Sequence, residues 1–201
     1  MTVRVAPRLR ELTSADAVRV LEITRATGVF REEELAIADE VFHDAVEARL
    51  GDSAARRLEP TPADMGREPT SESGEGTNPT SEPPSRRAAE PPYYVLGAEV
   101  GGELVGWICW GRTPCTVGTW DLYWLAVDPA AHRLGAATLL VEEMERQLKG
   151  KARLITIDTS GRQDYGPTRA FYSARGYSAV ARVPDFYAPG DDQIIFTKQL
   201  A

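Results

Sequence analysis

The chain is poor in the residues that build metal centres and covalent nucleophiles. It has two cysteines and two histidines in 201 residues. Cys109 sits in an apolar run between tryptophans and reads as a small buried hydrophobe, while Cys115 lies in a turn-like Thr-Pro-Cys-Thr stretch. His43 and His132 are not spaced as zinc ligands, so no metal is expected. No Cys-His or Ser-His arrangement has positional support, which disfavours a covalent acyl-enzyme. Long apolar runs are missing as well. No window approaches the ~20 apolar residues that span a bilayer, and no apolar stretch follows the basic N-terminal residues as it would in a secretory leader. A reduced, cytoplasmic protein with no membrane partner is the expectation. Positive charge is in deficit, with 23 Lys+Arg against 30 Asp+Glu and a formal net charge of -7. An acidic surface repels a polyanion, which argues against nucleic-acid binding and suits a cationic small substrate.

Aromatic residues are absent from one long stretch, Gly51 to Pro92, which is rich in Pro, Ser, Glu and Thr instead. Such a composition cannot bury enough apolar surface to offset the entropy of ordering it, so residues 51–92 are expected to be disordered. Too little chain precedes it for a separate domain. It therefore reads as an insertion within one domain spanning residues 1–201. Loop-closure entropy grows only with the logarithm of length, so a long insertion is tolerated.

What is present is a change of hydrophobic period along the chain. Val3 to Leu12 is a candidate first strand. Thr13 with Asp16 resembles a capping box for a helix that stops near Gly28. Arg31 to Leu50 places Leu35, Ala38, Phe42 and Ala45 on one helical face, with Glu32 to Glu34 in the first turn, where the helix dipole favours negative charge. Tyr93–Val100, Glu103–Trp110 and Trp120–Val127 read as strands, the first two joined by a two-glycine hairpin. Leu134–Leu148 is helical, Arg153–Thr159 a strand, and Pro167–Arg175 a helix. Ser178–Arg182 and Gln193–Gln199 close the chain as strands, with a Pro189-Gly190 turn between them. The sum is a mixed α/β (α+β) domain around one sheet with about four helices. Met144 and Leu148 read as core, and His43 as solvated.

Val127-Asp-Pro-Ala-Ala-His-Arg-Leu-Gly-Ala-Ala137 follows an apolar strand and opens an amphipathic helix. The first amides of a helix lack internal partners, and small residues let an anion approach the backbone. On these grounds the segment is an anion cradle or simply a place of close packing. The segment resembles the acyl-CoA motif of the GNAT superfamily of N-acetyltransferases. Gly135 and Ala137 match, whereas His132 stands where Gln or Arg is usual. A second stretch, Pro167-Thr-Arg-Ala-Phe171-Tyr172-Ser-Ala-Arg-Gly176-Tyr177, is similar to the Phe-Tyr element on the penultimate helix of that family. Gly118 to Trp124 and Pro184 to Asp192 look like a GNAT subgroup of unassigned substrate.

The resemblance implies a mostly antiparallel twisted sheet with a splayed strand pair, and acetyl-CoA as co-substrate with no metal. It implies a cofactor site at Leu125, Ala126, Val127, His132, Arg133, Leu134, Gly135, Ala136 and Ala137. At 132 a backbone amide would serve. Residues 125 and 127 would pair with the pantetheine arm, and an amide near Leu125 or Ala126 would hold the oxyanion. Tyr172 would be the general acid to the leaving thiolate, or otherwise an aromatic packed under the sheet. Asp121 would be the general base, its burial inside Trp-Asp-Leu-Tyr-Trp raising its pKa; the other readings are a water chain to a more distant base, or a strand-end aspartate that pairs with an arginine or caps a turn. Phe30, Tyr123, Phe186 and Tyr187 are candidates for the acceptor pocket; Asp185, Asp191 and Asp192 fit either an amine site or turn chemistry. The acceptor implied is a primary amine of a small molecule or peptide. A non-catalytic acyl-CoA-binding domain and an enzyme using a larger acyl group are the other readings, and homodimers are frequent in the superfamily.

Overall fold

The computed structural model describes residues 5–58 and 92–200, with the backbone alone for 51–58. In chain order the elements are β1 (Arg8–Arg10), α1 (Ala17–Ala26), α2 (Glu32–Leu58), β2 (Tyr94–Val100), β3 (Glu103–Arg112), β4 (Thr119–Val127), α3 (Ala136–Leu148), β5 (Leu154–Ser160), α4 (Gly166–Ser173), β6 (Ser178–Ala188) and β7 (Asp191–Gln199). They form a seven-stranded sheet in the order β1-β2-β3-β4-β5-β7-β6. Every pairing is antiparallel except β4 with β5. The sheet is thus mostly antiparallel, with α3 as the crossover that the one parallel pair requires.

Two buried clusters sandwich the sheet. On one face α3 and α4 contribute Leu140, Val141, Met144, Leu148 and Tyr172 against Ile108, Trp110, Trp120, Leu122, Ile155, Ile157 and Phe196. On the other, α1 and α2 contribute Val20, Ile23, Ala38, Val41, Phe42 and Val46 against Leu104, Trp107, Cys109 and Ala126. The wholly buried Trp107 donates its indole N–H to Thr24 Oγ1 at 2.9 Å, so its one polar atom is satisfied. Burial pushes the Cys109 thiol up, as fits a hydrophobe rather than a nucleophile.

Several boundaries differ from expectation for local reasons. The Thr13 amide does donate to Asp16 Oδ2 at 2.8 Å, but the cap opens a short 3-10 turn, Ser14–Asp16, ahead of α1. The first strand is only Arg8–Arg10, and residues 1–4 lie outside the described residues. Helix α2 runs through Leu58 and so enters the segment expected to be disordered; the rest of that segment, 59–91, lies outside the described residues. Strand β6 continues past Arg182 to Ala188, because register shifts between Val183 and Ala188 absorb the turn-like residues. The Pro189-Gly190 turn is there, with Gly190 at φ 79°.

One irregularity positions everything below. On β4, Trp120 and Leu122 face the α3–α4 layer, and so do Leu125 and Val127. Side chains alternate along a strand, so this phase change needs one extra residue. The residue is Tyr123: Cys109 pairs with Trp124 and Trp110 with Leu122, leaving Tyr123 unmatched in a β-bulge. On its other edge β4 pairs with β5 only from Thr119↔Leu154 to Leu122↔Ile157. Beyond that point the strands part, while β5 stays paired with β7 through Ser160.

Candidate active site

A cavity of about 830 Å³ opens where β4 and β5 part. It has two halves that meet through the gap in the sheet. On the α3–α4 face it is lined by Leu125, Val127, the loop residues His132 and Arg133, Gly135 to Thr138, Phe171, Tyr172 and Arg175. On the α1–α2 face it is lined by Phe30, Arg31, Glu34, Asp121, Tyr123, Asp158, Tyr165 and Tyr187.

The first half begins with backbone direction. Asp128 donates its amide to Val105 O at 2.8 Å. Alternation then turns Ala126 toward β3 as well, and aims the amides and carbonyls of Leu125 and Val127 into the gap. Ala126, expected as an alternative oxyanion donor, is therefore engaged by the ladder, and its side chain is buried in the opposite core. Leu125 and Val127 present what an added strand would pair with.

The loop after β4 is a 3-10 turn, Pro129–Ala131, followed by Arg133 at φ 65° and Gly135 at φ 92°. Gly135 caps α3 in the left-handed region, so the helix begins at Ala136 rather than at Leu134. A Cβ placed on Gly135 would meet nothing within 4 Å, so open space lies directly before the helix N-terminus. The amides of His132 and Leu134 are already bonded, to Pro129 O at 3.2 Å and Ala131 O at 3.3 Å. The expected anion-binding role of the His132 amide is thus not available, and Leu134 packs on the core instead of lining the cavity. The His132 ring turns back, with Nε2 3.3 Å from Val127 O. The first-turn amides of Ala136 and Ala137 remain, with the positive end of the α3 dipole behind them. Asp128 fixes the loop, accepting from Ala130 N at 2.9 Å and from Arg19 Nη2 at 2.6 Å. Those two contacts, the amide first, lower its pKa.

Two residues here were not singled out from the sequence. Arg175 bonds Thr138 Oγ1 through Nη2, donates Nη1 to Phe171 O at 3.0 Å, and lies 3.4 Å from the Phe171 ring centroid. Its Nε is buried with no hydrogen-bond partner among the described residues. Arg175 lines the cavity near the α3 N-terminus, where a guanidinium charge fits a phosphate group. Arg175 sits inside the Phe-Tyr motif, where it reads as a spacer. Its meaning depends on Thr138, one helix away.

Tyr172 is buried among Phe171, Tyr177 and Phe196, with ring centroids 5.4, 5.8 and 6.1 Å away, and lines the cavity. Burial pushes its phenol well above the ordinary value. On the other face Asp121 has no arginine partner among the described residues; Thr113 Oγ1 donates to its Oδ2 at 2.6 Å. Burial raises its pKa against that hydrogen bond and one from Tyr123. Asp158, also unanticipated, accepts from Gln193 Nε2 at 2.9 Å and is raised by burial and then by the charge of Asp121. Tyr123 and Tyr187 are both pushed up to about 12, chiefly by burial.

Of the acceptor-pocket candidates, Phe30, Tyr123 and Tyr187 line the cavity. Phe186 does not: it is 55% exposed, because successive strand residues point to opposite sides and its neighbour Tyr187 takes the inner one. Asp191 is buried and bonded by Ser160, Arg31 and Arg162, and Asp192 by Arg182 and the Asp185 amide. Both aspartates are thus already engaged by cationic or amide donors, and Asp191 also lines the cavity. His43 stays on the solvent side of α2, 3.6 Å from Asp39.

A helix-capped cradle, a parted parallel pair and a pocket across the sheet define an acyl-transfer architecture, and sequence and structure comparisons agree. The Acetyltransferase (GNAT) family profile matches residues 63–177, more than half of the chain. A Desulfovibrio desulfuricans protein assigned to the same family is 30% identical with a TM-score of 0.71, over 98% of this chain and 100% of that one. The chain belongs to the GNAT family of acetyltransferases. At fold level it also matches Ard1 from Thermoplasma volcanium (14% identity, TM-score 0.64, 98% of this chain and 99% of that one). A third match is the ribosomal-protein-S18-alanine N-acetyltransferase from Escherichia coli (13%, 0.61, 97% and 94%). No curated protein matches. Among the described residues no helix is long and apolar enough to cross a membrane, and none of their acidic, histidine or cysteine side chains cluster as metal ligands.

Proposed function

We propose that the chain transfers an acetyl group from acetyl-CoA to a primary amine of a small molecule or peptide, by direct attack. The observation that carries this reading is the continuity of the cavity. The phosphate-fitting cradle on one face and the carboxylates of Asp121 and Asp158 on the other open into one space, joined at the parted strands.

In this reading the Ala136 and Ala137 amides, Arg175 and Arg133 hold the pyrophosphate, and Leu125 and Val127 pair with the pantetheine arm as strands do. The Leu125 amide is aimed where the carbonyl oxygen would gain charge. An aliphatic ammonium has a pKa near ~10, so at neutral pH it must lose a proton before it can attack, and in this reading Asp121 takes it. A carboxylate with a raised pKa is the stronger base for that purpose. Tyr172 donates a proton to the departing sulfur. Two carboxylates without cation partners among the described residues, facing the acceptor half, favour turnover over a purely regulatory acyl-CoA-binding domain.

The test is a free-thiol release assay with acetyl-CoA across a library of primary amines, including peptide N-termini. Release that depends on one amine class is the expected result. Tight acetyl-CoA binding by calorimetry with no release for any amine would favour the non-catalytic domain, and release with longer acyl-CoAs alone would favour a larger acyl group.

A further inference from the structure

The acceptor half contains a second carboxylate that neither the motif nor the family assignment brings into the reaction. Leu122 and Ile157 are the last partners of the parallel β4–β5 pair, and both face the α3–α4 core. Asp121 precedes the first and Asp158 follows the second, so both side chains emerge on the opposite face, at the point of parting. Strand spacing and rise per residue put their α-carbons on the order of 8 Å apart, which lets one small nitrogen sit between the two carboxylates. Each is steered by a neutral donor: Thr113 Oγ1 to Asp121 Oδ2 at 2.6 Å and Gln193 Nε2 to Asp158 Oδ2 at 2.9 Å.

No guanidinium or ammonium neutralises either one among the described residues. The nearest arginines in the cavity wall are committed elsewhere: Arg31 to Asp191 at 2.9 Å, and Arg162 to Asp164 at 3.2 Å and Asp191 at 3.4 Å. Among the described residues, the remaining ionisable groups on this half of the cavity are Tyr123 on β4, Tyr187 on β6, Tyr165 ahead of α4 and Glu34 on α2, none of them cationic. Asp121 is partly buried and Asp158 is exposed at the cavity wall, and two neighbouring carboxylates with no positive partner among the described residues repel one another in the empty protein. A structural role alone would be served better by one aspartate and one asparagine.

We propose that Asp158 is a catalytic residue that works with Asp121 as one proton-accepting pair for the acceptor nitrogen. This rests on the amine-acetylation reading above. The stoichiometry explains why two are present. Converting an ammonium to an amide removes two protons from nitrogen. The first goes to one carboxylate and frees the lone pair. The N–C bond forms at the acetyl carbonyl carbon, the C–S bond breaks, and the nitrogen's second proton passes to the other carboxylate. The leaving sulfur takes a proton from Tyr172. Of the two protons on the pair, one returns through solvent to the Tyr172 oxygen and one leaves to bulk, so the balance is one thiol, one amide and one released proton.

The pair is tested in the intact protein with Asp158→Asn, Asp121→Asn and the double variant. With the best amine from the library, Asp158→Asn is expected to lower kcat about tenfold or more while leaving the acetyl-CoA KM unchanged. Removing one negative neighbour favours ionisation of the other, so the acid limb of kcat/KM should move to lower pH in either single variant. The double variant should be little worse than the poorer single. Wild-type turnover and an unmoved acid limb in Asp158→Asn would overturn the pair. A readout independent of turnover separates the pair from the reaction reading: the side-chain carboxyls of 13C-labelled aspartate, followed by NMR. Asp158 should titrate at lower pH in Asp121→Asn than in the wild type, and an unchanged titration overturns the pair even if acetylation is confirmed. If no amine is acetylated, the reaction reading fails and this titration alone decides the coupling.

Discussion

A phenol that burial keeps protonated is a donor at every pH at which the protein is assayed. Tyr172 is such a group, and the same burial that makes it a reluctant acid in the empty cavity also raises the basicity of a thiolate formed beside it. Replacing Tyr172 with Phe should lower kcat by about one to two orders of magnitude while acetyl-CoA affinity by calorimetry stays near wild type. Because the phenol pKa is raised, wild-type activity should not decline on the alkaline side through Tyr172 ionisation; a basic limb lost in the Phe variant would contradict this. The carboxylates set the other side. Burial raises the pKa of Asp121 and of Asp158, so each is charged, as the proposed base role needs, only above a pH higher than an ordinary carboxylate requires. Tyr172 and Asp121 both line the cavity and were reachable from the sequence, the first through the Phe-Tyr motif and the second by its distance from the end of its strand. Asp158 and Arg175 were not, since each acquires meaning from a partner on another element: Asp121 across the parallel pair, and Thr138 across the α3–α4 contact.

At the scale of elements, the cradle is a loop whose backbone is set by a few residues. Arg133 and Gly135 both take left-handed φ values, which let the chain turn sharply from β4 into α3. Gly135→Val should cost about 1–2 kcal/mol in backbone conformation and fill the space before the helix N-terminus. The expected result is a lower Tm together with at least tenfold weaker acetyl-CoA binding by calorimetry, whereas Gly135→Ala should show the backbone cost with a smaller loss of affinity. Intact binding in the Val variant would mean that the phosphates lie elsewhere. The helix start at Ala136 was misplaced by two residues on periodicity alone, because Leu134 fits the apolar face of α3 although a left-handed glycine separates it from the helix. The bulge at Tyr123 had a sequence trace in the phase change from Trp120 and Leu122 to Leu125 and Val127. Read as one continuous apolar strand, that trace is invisible, and only the β3 register exposes it.

At the scale of the molecule, element order and the mixed α/β class were legible because every strand and helix has a clear period and most have a terminator. The parting of β4 from β5 was reachable only through the family resemblance, since strand pairing is a long-range property. That parting leaves the protein one strand short. The edges of β4 beyond Leu122 and of β5 beyond Ile157 carry backbone donors and acceptors that do not pair with each other, and a bound molecule is proposed to pair there. Thermodynamic linkage then makes the empty form the least stable one. A ligand that pairs with those edges in the native state alone adds RT ln(1 + [L]/Kd), or about 2.7 kcal/mol at a hundred times Kd. Acetyl-CoA should therefore raise Tm in a concentration-dependent way, and so should coenzyme A. With the donor site saturated, a further rise caused by an added amine reports occupancy of the other half. Melting temperature thus becomes a search tool for the acceptor that does not need turnover, and a flat response to acetyl-CoA would show that the folded protein does not bind it.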